Sequence, residues 1–409
     1  MKILGIETSC DETAAAVIED GTRILSNVVV SQIDIHAAYG GVVPEIAARS
    51  HIEAILPVID QTLENANLTW NDIDKIAVTH TPGLLGSLLI GTLTARTLAI
   101  LHDLPLYPTH HLKSHIYANW LERATKGNLG NSGNLFQGNE TNVFVPSKRE
   151  PRQARLSALS SRRASLTDKK LVSCPEETPL PELPKFPLIA LVVSGGHTQL
   201  IYMNGHNHFE IIGTTRDDAV GEVFDKIAKI LGLPYPGGPS ITAAAKSGNP
   251  HKYSLPHPKV PELDFSFSGL KTAVLRAVQK DLDLPISTPS HELAAQLSPQ
   301  QVADFAASFQ NTAIDILVEK LAQAVAKYQP ASVLLAGGVA ANSLLRKKVQ
   351  DKITEYGLEE NHIRLFFPAP QFSTDNAAMV ASAAYFAIKA GAQPTDPYNL
   401  DISPRSGIS

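Results

Sequence analysis

The sequence predicts an α/β protein of two lobes with a ligand cleft between them. Two observations carry this. Strand-like segments followed by helix-like segments run from residue 2 to 120, and the same order recurs from 188 to 390. Three strands end in small or polar turns, at Glu7-Thr8-Ser9, Ser194-Gly195-Gly196 and Gly337-Gly338. Ligands of such folds collect at strand ends and between domains.

Taken in order, Lys2 to Ile6 reads as a strand and Ala14 to Glu19 as its antiparallel neighbour. The Asp20-Gly21 step suits a further hairpin into Ile24 to Val30. Pro44 fits the first turn of a helix from Glu45 to about Ala66. Ile76 to Thr79 is a strand, and Pro82-Gly83 turns into an apolar segment from Gly83 to Leu101. With Arg96 and three glycines inside it, that segment reads as a buried helix and not as a membrane span. Leu106 to Pro108 is a short strand, followed by a helix from His111 to Trp120.

The pattern resumes with strands at Leu188 to Val193 and Thr198 to Met203 around a tight turn. This repeats the N-terminal layout as a duplication of topology. A helix is expected from Asp217 to Leu231, then a Gly/Pro-rich turn from Gly232 to Pro239. Asp264 to Lys271 reads as an aromatic strand entering a helix, and Pro299 to Lys327 as mostly helical. Ser332 to Ala336 is a strand that meets Gly337-Gly338, with a helix from Asn342. Phe366-Phe367 is a strand or loop edge, Asn376 to Lys389 a helix, and the tail after Gln393 is expected to dock loosely. The expected domains are a lobe of residues 1–119 completed by the helix at 376–393, an insertion at 120–187, a second lobe at 188–375 and a tail at 394–409.

A chain of 409 residues exceeds one ordinary core. A net charge of -5 argues against wholesale electrostatic wrapping of nucleic acid, but leaves room for a local basic patch. The stretch from Thr141 to Lys170 holds eight Lys or Arg against two acidic residues. It reads either as a solvated loop or as a basic arm for a polyanion. Two cysteines, Cys10 and Cys174, make no disulfide framework and fit a reducing compartment. No cationic leader precedes the strand at Ile3, so the cytoplasm is the expected location, with no membrane partner.

His111 and His115, four apart on a helix, share one face, the spacing of a two-imidazole metal site. Alone, the pair admits metal ligation or two unrelated histidines. A zinc peptidase would need Glu after the first His, and Leu112 stands there. Asp375, at the start of a helix, could be a third ligand, and two His with one carboxylate suit iron or zinc. His110 adjoins the pair but points off its face. Backbone N–H groups at Ser194-Gly195-Gly196 could wrap a phosphate, and Gly237-Gly238 and Gly337-Gly338 are two further candidate glycine turns. Asp225 reads as a solvated helix residue or as an acceptor for a ribose hydroxyl. Asn342 reads as a helix cap or as a contact to base or phosphate. Asp11 and Glu12 could hold a cation or position an amine. Cys10 reads as an inert thiol, because nothing places a base beside it. Walker and dinucleotide fingerprints are absent from the sequence.

These motifs occur in the same order in one family. Gly5 to Thr13, Gly40-Gly41-Val42-Val43-Pro44-Glu45, His111-x-x-x-His115, Val193 to Leu200, Tyr235 to Pro239, Phe267 to Thr272, Ala336 to Asn342 and Thr374 to Ala378 carry the resemblance. Over residues 1–119 and 188–390 the chain resembles the bacterial tRNA N6-adenosine threonylcarbamoyltransferases. The resemblance implies the actin/hexokinase/Hsp70-like (ASKHA) fold. It implies transfer of threonylcarbamoyl from threonylcarbamoyl-AMP to N6 of adenosine 37 in tRNAs reading codons that begin with A. It implies a divalent metal on His111, His115 and Asp375, usually Fe(2+) and sometimes Zn(2+). Val192, Val193, Ser194, Gly195 and Gly196 become the phosphate-side turn, and Asp225, Gly238 and Asn342 nucleotide contacts. Asp11 and Glu12 are then the candidate catalytic residues. The implied partners are tRNA, a paralogous TsaB-like subunit and a TsaE-like small ATPase. Lys113-Ser114 replaces the family's usual Glu-Gly, and Thr242 stands where many members have an acidic residue near the ribose. Two other readings are a small-molecule kinase of the same fold, which would not need both histidines, and a nucleotide-binding scaffold, which would survive loss of Asp11, Glu12 and Asp375.

Overall fold

Alternation within the first strand already sets out one half of the molecule. In β1 (Lys2–Glu7), Ile3 faces one core while Leu4 and Ile6 face another, as a period of two requires when both faces of a sheet are covered. The computed structural model describes residues 1–121, 182–355, 363–405 and 407–408. β2 (Glu12–Glu19) pairs antiparallel with β1, and β3 (Arg23–Ser31) antiparallel with β2. A short helix α1 (Ile33–Ala37) and the long α2 (Pro44–Ala66) follow. β4 (Lys75–Thr81) and β5 (Leu106–His110) extend the sheet in parallel on the other side of β1, giving the order β3-β2-β1-β4-β5.

The second sheet repeats this layout. β6 (Leu188–Val193), β7 (Thr198–Gly205) and β8 (His208–Thr214) form an antiparallel meander. β9 (Ser332–Ala336) and β10 (Arg364–Phe366) add in parallel beyond β6, so the order is β10-β9-β6-β7-β8. The expected two-lobed α/β architecture and its internal duplication are therefore present. β8 is absent from the sequence reading because it is an edge strand with only one of its seven residues buried, and so carries little apolar alternation.

Helices fill both faces. α2 and α3 (Leu85–His102) cover one face of the first sheet, and a helix from Ala377 to Lys389 covers the other. On the second sheet, Ile189, Leu191 and Val193 pack with α5 (Val220–Ile230) and α8 (Pro299–Tyr328), whereas Leu188, Ala190 and Val192 face α4 (His111–Tyr117). Further helices here are α6 (Gly237–Ala245), α7 (Ser268–Asp281) and α9 (Ser343–Glu355). The last, α10 (Ala377–Lys389), lies on the first sheet through Ala377, Ala378, Ala381 and Ala384. Small residues let it come close, and a Cβ on Gly5 would lie 2.3 Å from the Ala377 carbonyl oxygen.

Several expectations need correction. Gly237-Gly238 does not form a turn after a strand, because these residues open α6 behind Pro236. Asp217 lies outside α5, where its carboxylate accepts from Ser266 Oγ, Phe267 N and Ser268 Oγ at the start of α7. The aromatic segment near Phe265 makes a single bridge to Thr215 rather than a strand. α3 is buried on one face only, with Leu85, Leu89 and Leu93 exposed on the other. It is the one helix among the described residues long and apolar enough to cross a membrane. The tail docks firmly. Arg96 donates to the carbonyls of Pro397, Tyr398 and Leu400, Thr395 N donates to Leu106 O, and Leu400 is buried in the first-lobe core.

The described residues other than Glu182 belong to one compact unit, and residues 122–181, with the basic stretch from Lys148 to Lys170 and Cys174, lie outside the described residues.

Candidate metal centre and substrate cleft

Two helix starts build the metal centre. β5 ends at His110, whose Nδ1 accepts from Leu112 N and so caps α4. That cap fixes the first turn from which His111 and His115 project on one face. Asn376 caps α10 by accepting from Met379 N at 3.1 Å, and Asp375 immediately precedes it. α4 and α10 pack together, which brings the three side chains to one point. His115 Nε2 lies 3.0 Å and His111 Nε2 3.5 Å from Asp375 Oδ1, and the two Nε2 atoms are 3.2 Å apart. At a bond length of about 2.1 Å, that nitrogen separation subtends roughly 100° at a shared ion. The donor set, its burial and its spacing therefore fit one divalent cation.

Glu7 supports the centre from below and was missed by the sequence reading. It is fully buried at the end of β1, and its Oε2 accepts from His111 Nδ1 at 3.1 Å and from Thr79 Oγ1 at 2.7 Å. Ser9 Oγ also lies 3.1 Å from His111 Nδ1. A carboxylate on the far ring nitrogen fixes the tautomer that leaves Nε2 for a metal. Its only signal in the sequence is an acidic residue closing an apolar strand.

Burial disfavours a charged His111, but Asp375 and then Glu7 outweigh it and hold the imidazole up at about 9. Against its own burial, Asp375 is lowered to about 2 by His111 and His115. Without an ion, then, a proton occupies the centre at neutral pH. Metal uptake must expel it. Calorimetry in buffers of different ionisation enthalpy is expected to show release of about one proton at pH 7.5. Metal affinity should rise with pH and level off near 9. Pooled titrations that show no proton release would contradict this.

From the second lobe, His197 faces the centre and was also missed. Burial, then the charges of His111 and His115, lower it to about 4, so it is a neutral imidazole. It closes the turn between β6 and β7, where Ser194 N donates to His197 O at 2.9 Å and His197 N to Ser194 Oγ at 3.1 Å. Gly195 and Gly196 at the tip are exposed, with open space where a side chain would stand. Val192 and Val193, the last two residues of β6, bury their side chains on opposite faces of the strand.

The other expected contacts gather in the second lobe. Asp225 Oδ1 accepts from Gly237 N at 2.7 Å. Burial pushes Asp225 up, partly offset by that N–H, with Glu222 and Asp11 adding to the rise. Asn342 caps α9 through Leu344 N and Leu345 N. Its Nδ2 donates to Thr242 Oγ1 at 3.1 Å and Gln310 Oε1 at 3.0 Å, and Thr242 Oγ1 also donates to Gly238 O. Gln310, a buried residue of α8, is thus part of this cluster without any mark in the sequence.

Asp11 is buried, and Glu12 accepts from Ser31 Oγ at 3.3 Å. Burial, then Asp11 and Asp375, push Glu12 well up. Burial, then Asp11, Asp375 and Glu12, do the same to the Cys10 thiol, which makes it a poor nucleophile as expected. Tyr235 is raised by burial and by Asp11, Asp225, Cys10 and Glu12, acidic groups of both lobes. A cavity of about 470 Å³ is lined by Pro82, Gly83, His197 and three residues of the tail, Pro404, Arg405 and Gly407.

A family model described as tRNA N6-adenosine threonylcarbamoyltransferase, TsaD, matches residues 23–150 and 173–382. Proteins of that name are similar over nearly their whole length. The one from Thermomicrobium roseum is 43% identical over 399 residues, 96% of this chain and 93% of that protein. Symbiobacterium thermophilum has one 43% identical over 408 residues, 99% and 96% of the two chains. Bacillus cereus has one 42% identical over 401 residues, 98% and 95%. Agreement along both lobes, and not at one motif alone, means that the chain belongs to the tRNA N6-adenosine threonylcarbamoyltransferase family, TsaD.

Proposed function

We propose that the chain transfers the threonylcarbamoyl group from threonylcarbamoyl-AMP to N6 of adenosine 37 in tRNAs reading codons that begin with A. The product is N6-threonylcarbamoyladenosine. The observation that carries this reading is the buried His111–His115–Asp375 centre in a chain of this family. The metal it would hold is Fe(2+), with Zn(2+) the alternative; when bound it supplies Lewis acidity to an oxygen of the threonylcarbamoyl group.

In the transfer, a bond forms between N6 and the carbamoyl carbon, the bond from that carbon to the adenylate oxygen breaks, and AMP leaves. The amine is a weak nucleophile because its lone pair is delocalised into the ring, so positioning and charge stabilisation dominate. Asp11 or Glu12 accepts the N6 proton. Ser194, Gly195 and Gly196 hold the phosphate of the leaving group with their main chain, aided by the flanking backbone of Val192 and Val193. Asp225, Gly238 and Asn342 hold the nucleoside, and Thr242 and Gln310 fix the Asn342 amide.

The cytoplasm is the compartment of this reaction, and tRNA and the small ATPase are its further partners. The paralogous subunit docks on the face where Ile52 and Leu56 of α2 lie beside Leu85, Leu89 and Leu93 of α3, two apolar rows at helical spacing exposed to between 41% and 61%. Leu89→Glu is expected to abolish co-elution with that subunit on size exclusion while leaving the thermal midpoint within about 2 °C, as for a surface change. Undiminished co-elution would remove this face as the interface.

The functional test uses protein purified with its metal, the partner proteins, threonylcarbamoyl-AMP and unmodified tRNA. Digestion and mass spectrometry should find threonylcarbamoyladenosine. Its absence, with the partners active beside another family member, would favour a nucleotide-binding scaffold.

A further inference from the structure

Two histidines outside the metal centre, His36 in α1 and His51 in α2, are completely buried. Their contacts admit one consistent proton assignment. The Cys10 carbonyl can only accept, so His51 Nε2 carries the hydrogen and donates to it at 3.0 Å. His51 Nδ1 must then accept, and it faces two donors, Thr13 Oγ1 at 2.8 Å and Gln32 Nε2 at 3.4 Å. With the amide so turned, Gln32 Oε1 accepts from His36 Nε2 at 3.1 Å. His36 Nδ1 finally accepts from Val43 N at 3.3 Å. Donors therefore run in one direction, from Val43 to Cys10.

The end of this chain is the loop that carries Asp11 and leads into Glu12, the first residue of β2. Three successive carbonyls of the loop are tied down. Ser9 O accepts from Leu84 N at 2.8 Å, Cys10 O from His51 and from Ser87 Oγ, and Asp11 O from Gln32 N at 3.0 Å. Gln32 thus grips Asp11 with its main chain and His51 with its side chain. Burial lowers His51, which keeps it in the neutral form that can donate and accept at once. A core histidine with no further role would need partners, but it would not need them on the main chain beside the two cleft acids.

We propose that His51 is a positioning residue for acyl transfer: through the Cys10 carbonyl it fixes the backbone from which Asp11 and Glu12 act, and Gln32 and His36 extend the clamp to the segment at residues 38–43. This rests on the role given above to Asp11 and Glu12. The buried chain holds the two acids in one geometry before substrate arrives, so its contribution falls on turnover and not on substrate affinity.

The test compares His51→Phe, which keeps a ring but loses both hydrogen bonds, with His51→Gln, whose amide can donate to Cys10 O and accept from Thr13 Oγ1. Both are assayed as metal-loaded protein with its partner subunits. In His51→Phe, kcat should fall about 10- to 100-fold, the loss expected of misplaced groups, with KM for tRNA and for threonylcarbamoyl-AMP within about twofold and metal content unchanged. His51→Gln should recover kcat to within about threefold of the parent. Amide hydrogen exchange at residues 9–12 should quicken in the Phe variant and recover in the Gln variant. An unchanged kcat in His51→Phe, or parental protection of residues 9–12, would overturn the proposal. Should His51→Phe not fold, Gln32→Leu severs His36 from His51 and must still quicken exchange at residues 9–12 for the proposal to stand. If the parent protein makes no threonylcarbamoyladenosine, the functional reading fails, while the exchange comparison still decides whether His51 holds the loop.

Discussion

Replacing Asp375 with alanine is expected to empty the metal centre and to lower threonylcarbamoyl transfer by about 10³-fold, or about 4 kcal/mol in the barrier. Asp375 is the only carboxylate among the three converging donors. Without it, the two imidazole nitrogens, 3.2 Å apart, face each other with no anion between them. His111 also loses the first of the two carboxylates that hold its proton. The fold should survive, because Asn376 and not Asp375 caps α10. Elemental analysis should find less than about a tenth of the parental metal, given that a ligand and not a neighbour is removed. Full transfer by verified metal-free Asp375→Ala would end the metal's place in the reaction.

Glu7→Gln is expected to weaken metal binding about 10- to 100-fold, the usual cost of losing a carboxylate behind a ligating histidine. The three groups around Glu7 are Ser9 N, Thr79 Oγ1 and His111 Nδ1, and the main-chain N–H at least can only donate. A glutamine amide presents one donor of its own among them. Whichever way it turns, a buried donor faces a donor or forces a rearrangement, at about 1–3 kcal/mol of stability. The same change removes a negative charge beside His111. The pH at which metal affinity levels off should therefore move below about 9, and a metal titration across pH reads that shift directly. Affinity and pH profile matching the parent would show that Glu7 does not orient His111.

What the sequence discloses here follows from how local each device is. The pair His111 and His115 is legible because helical spacing alone puts them on one face, and Asp375 because it stands at the start of a helix. Glu7, His197 and Gln310 are not legible in that way. Each acquires its role from a neighbour far along the chain: Glu7 meets His111, and Gln310 meets Asn342. Periodicity recovers the buried strands, whose apolar runs are plain, but not β8, whose exposed edge has nothing to repeat. It also fails at α6, where Gly237, Gly238 and Pro239 look like a turn although Pro and Gly are tolerated in a first helical turn. The tail looked loose because Arg96 holds it by main-chain carbonyls, which any sequence possesses. Asp225 and Asn342 each turned out to satisfy main-chain N–H groups of a neighbouring helix start, and that structural duty sets where their remaining polar atoms can point.

The position of α10 has a consequence for how the protein is made. One face of the first sheet, with Ile3, Ala14, Ala16, Ile18 and Ala77, is covered by a helix that ends at Lys389. A ribosome releases the five strands of that sheet long before it releases their cover. During most of synthesis the nascent chain therefore carries a bare apolar surface, while the second sheet, with its own helices at α5 and α8, can close around one of its faces sooner. The carboxylate that completes the metal centre arrives at the same late moment, two residues ahead of the covering helix. Sealing of the first core and completion of the metal centre are thus one event in the life of each molecule, and a chain that has not finished folding has no complete site with which to capture a metal.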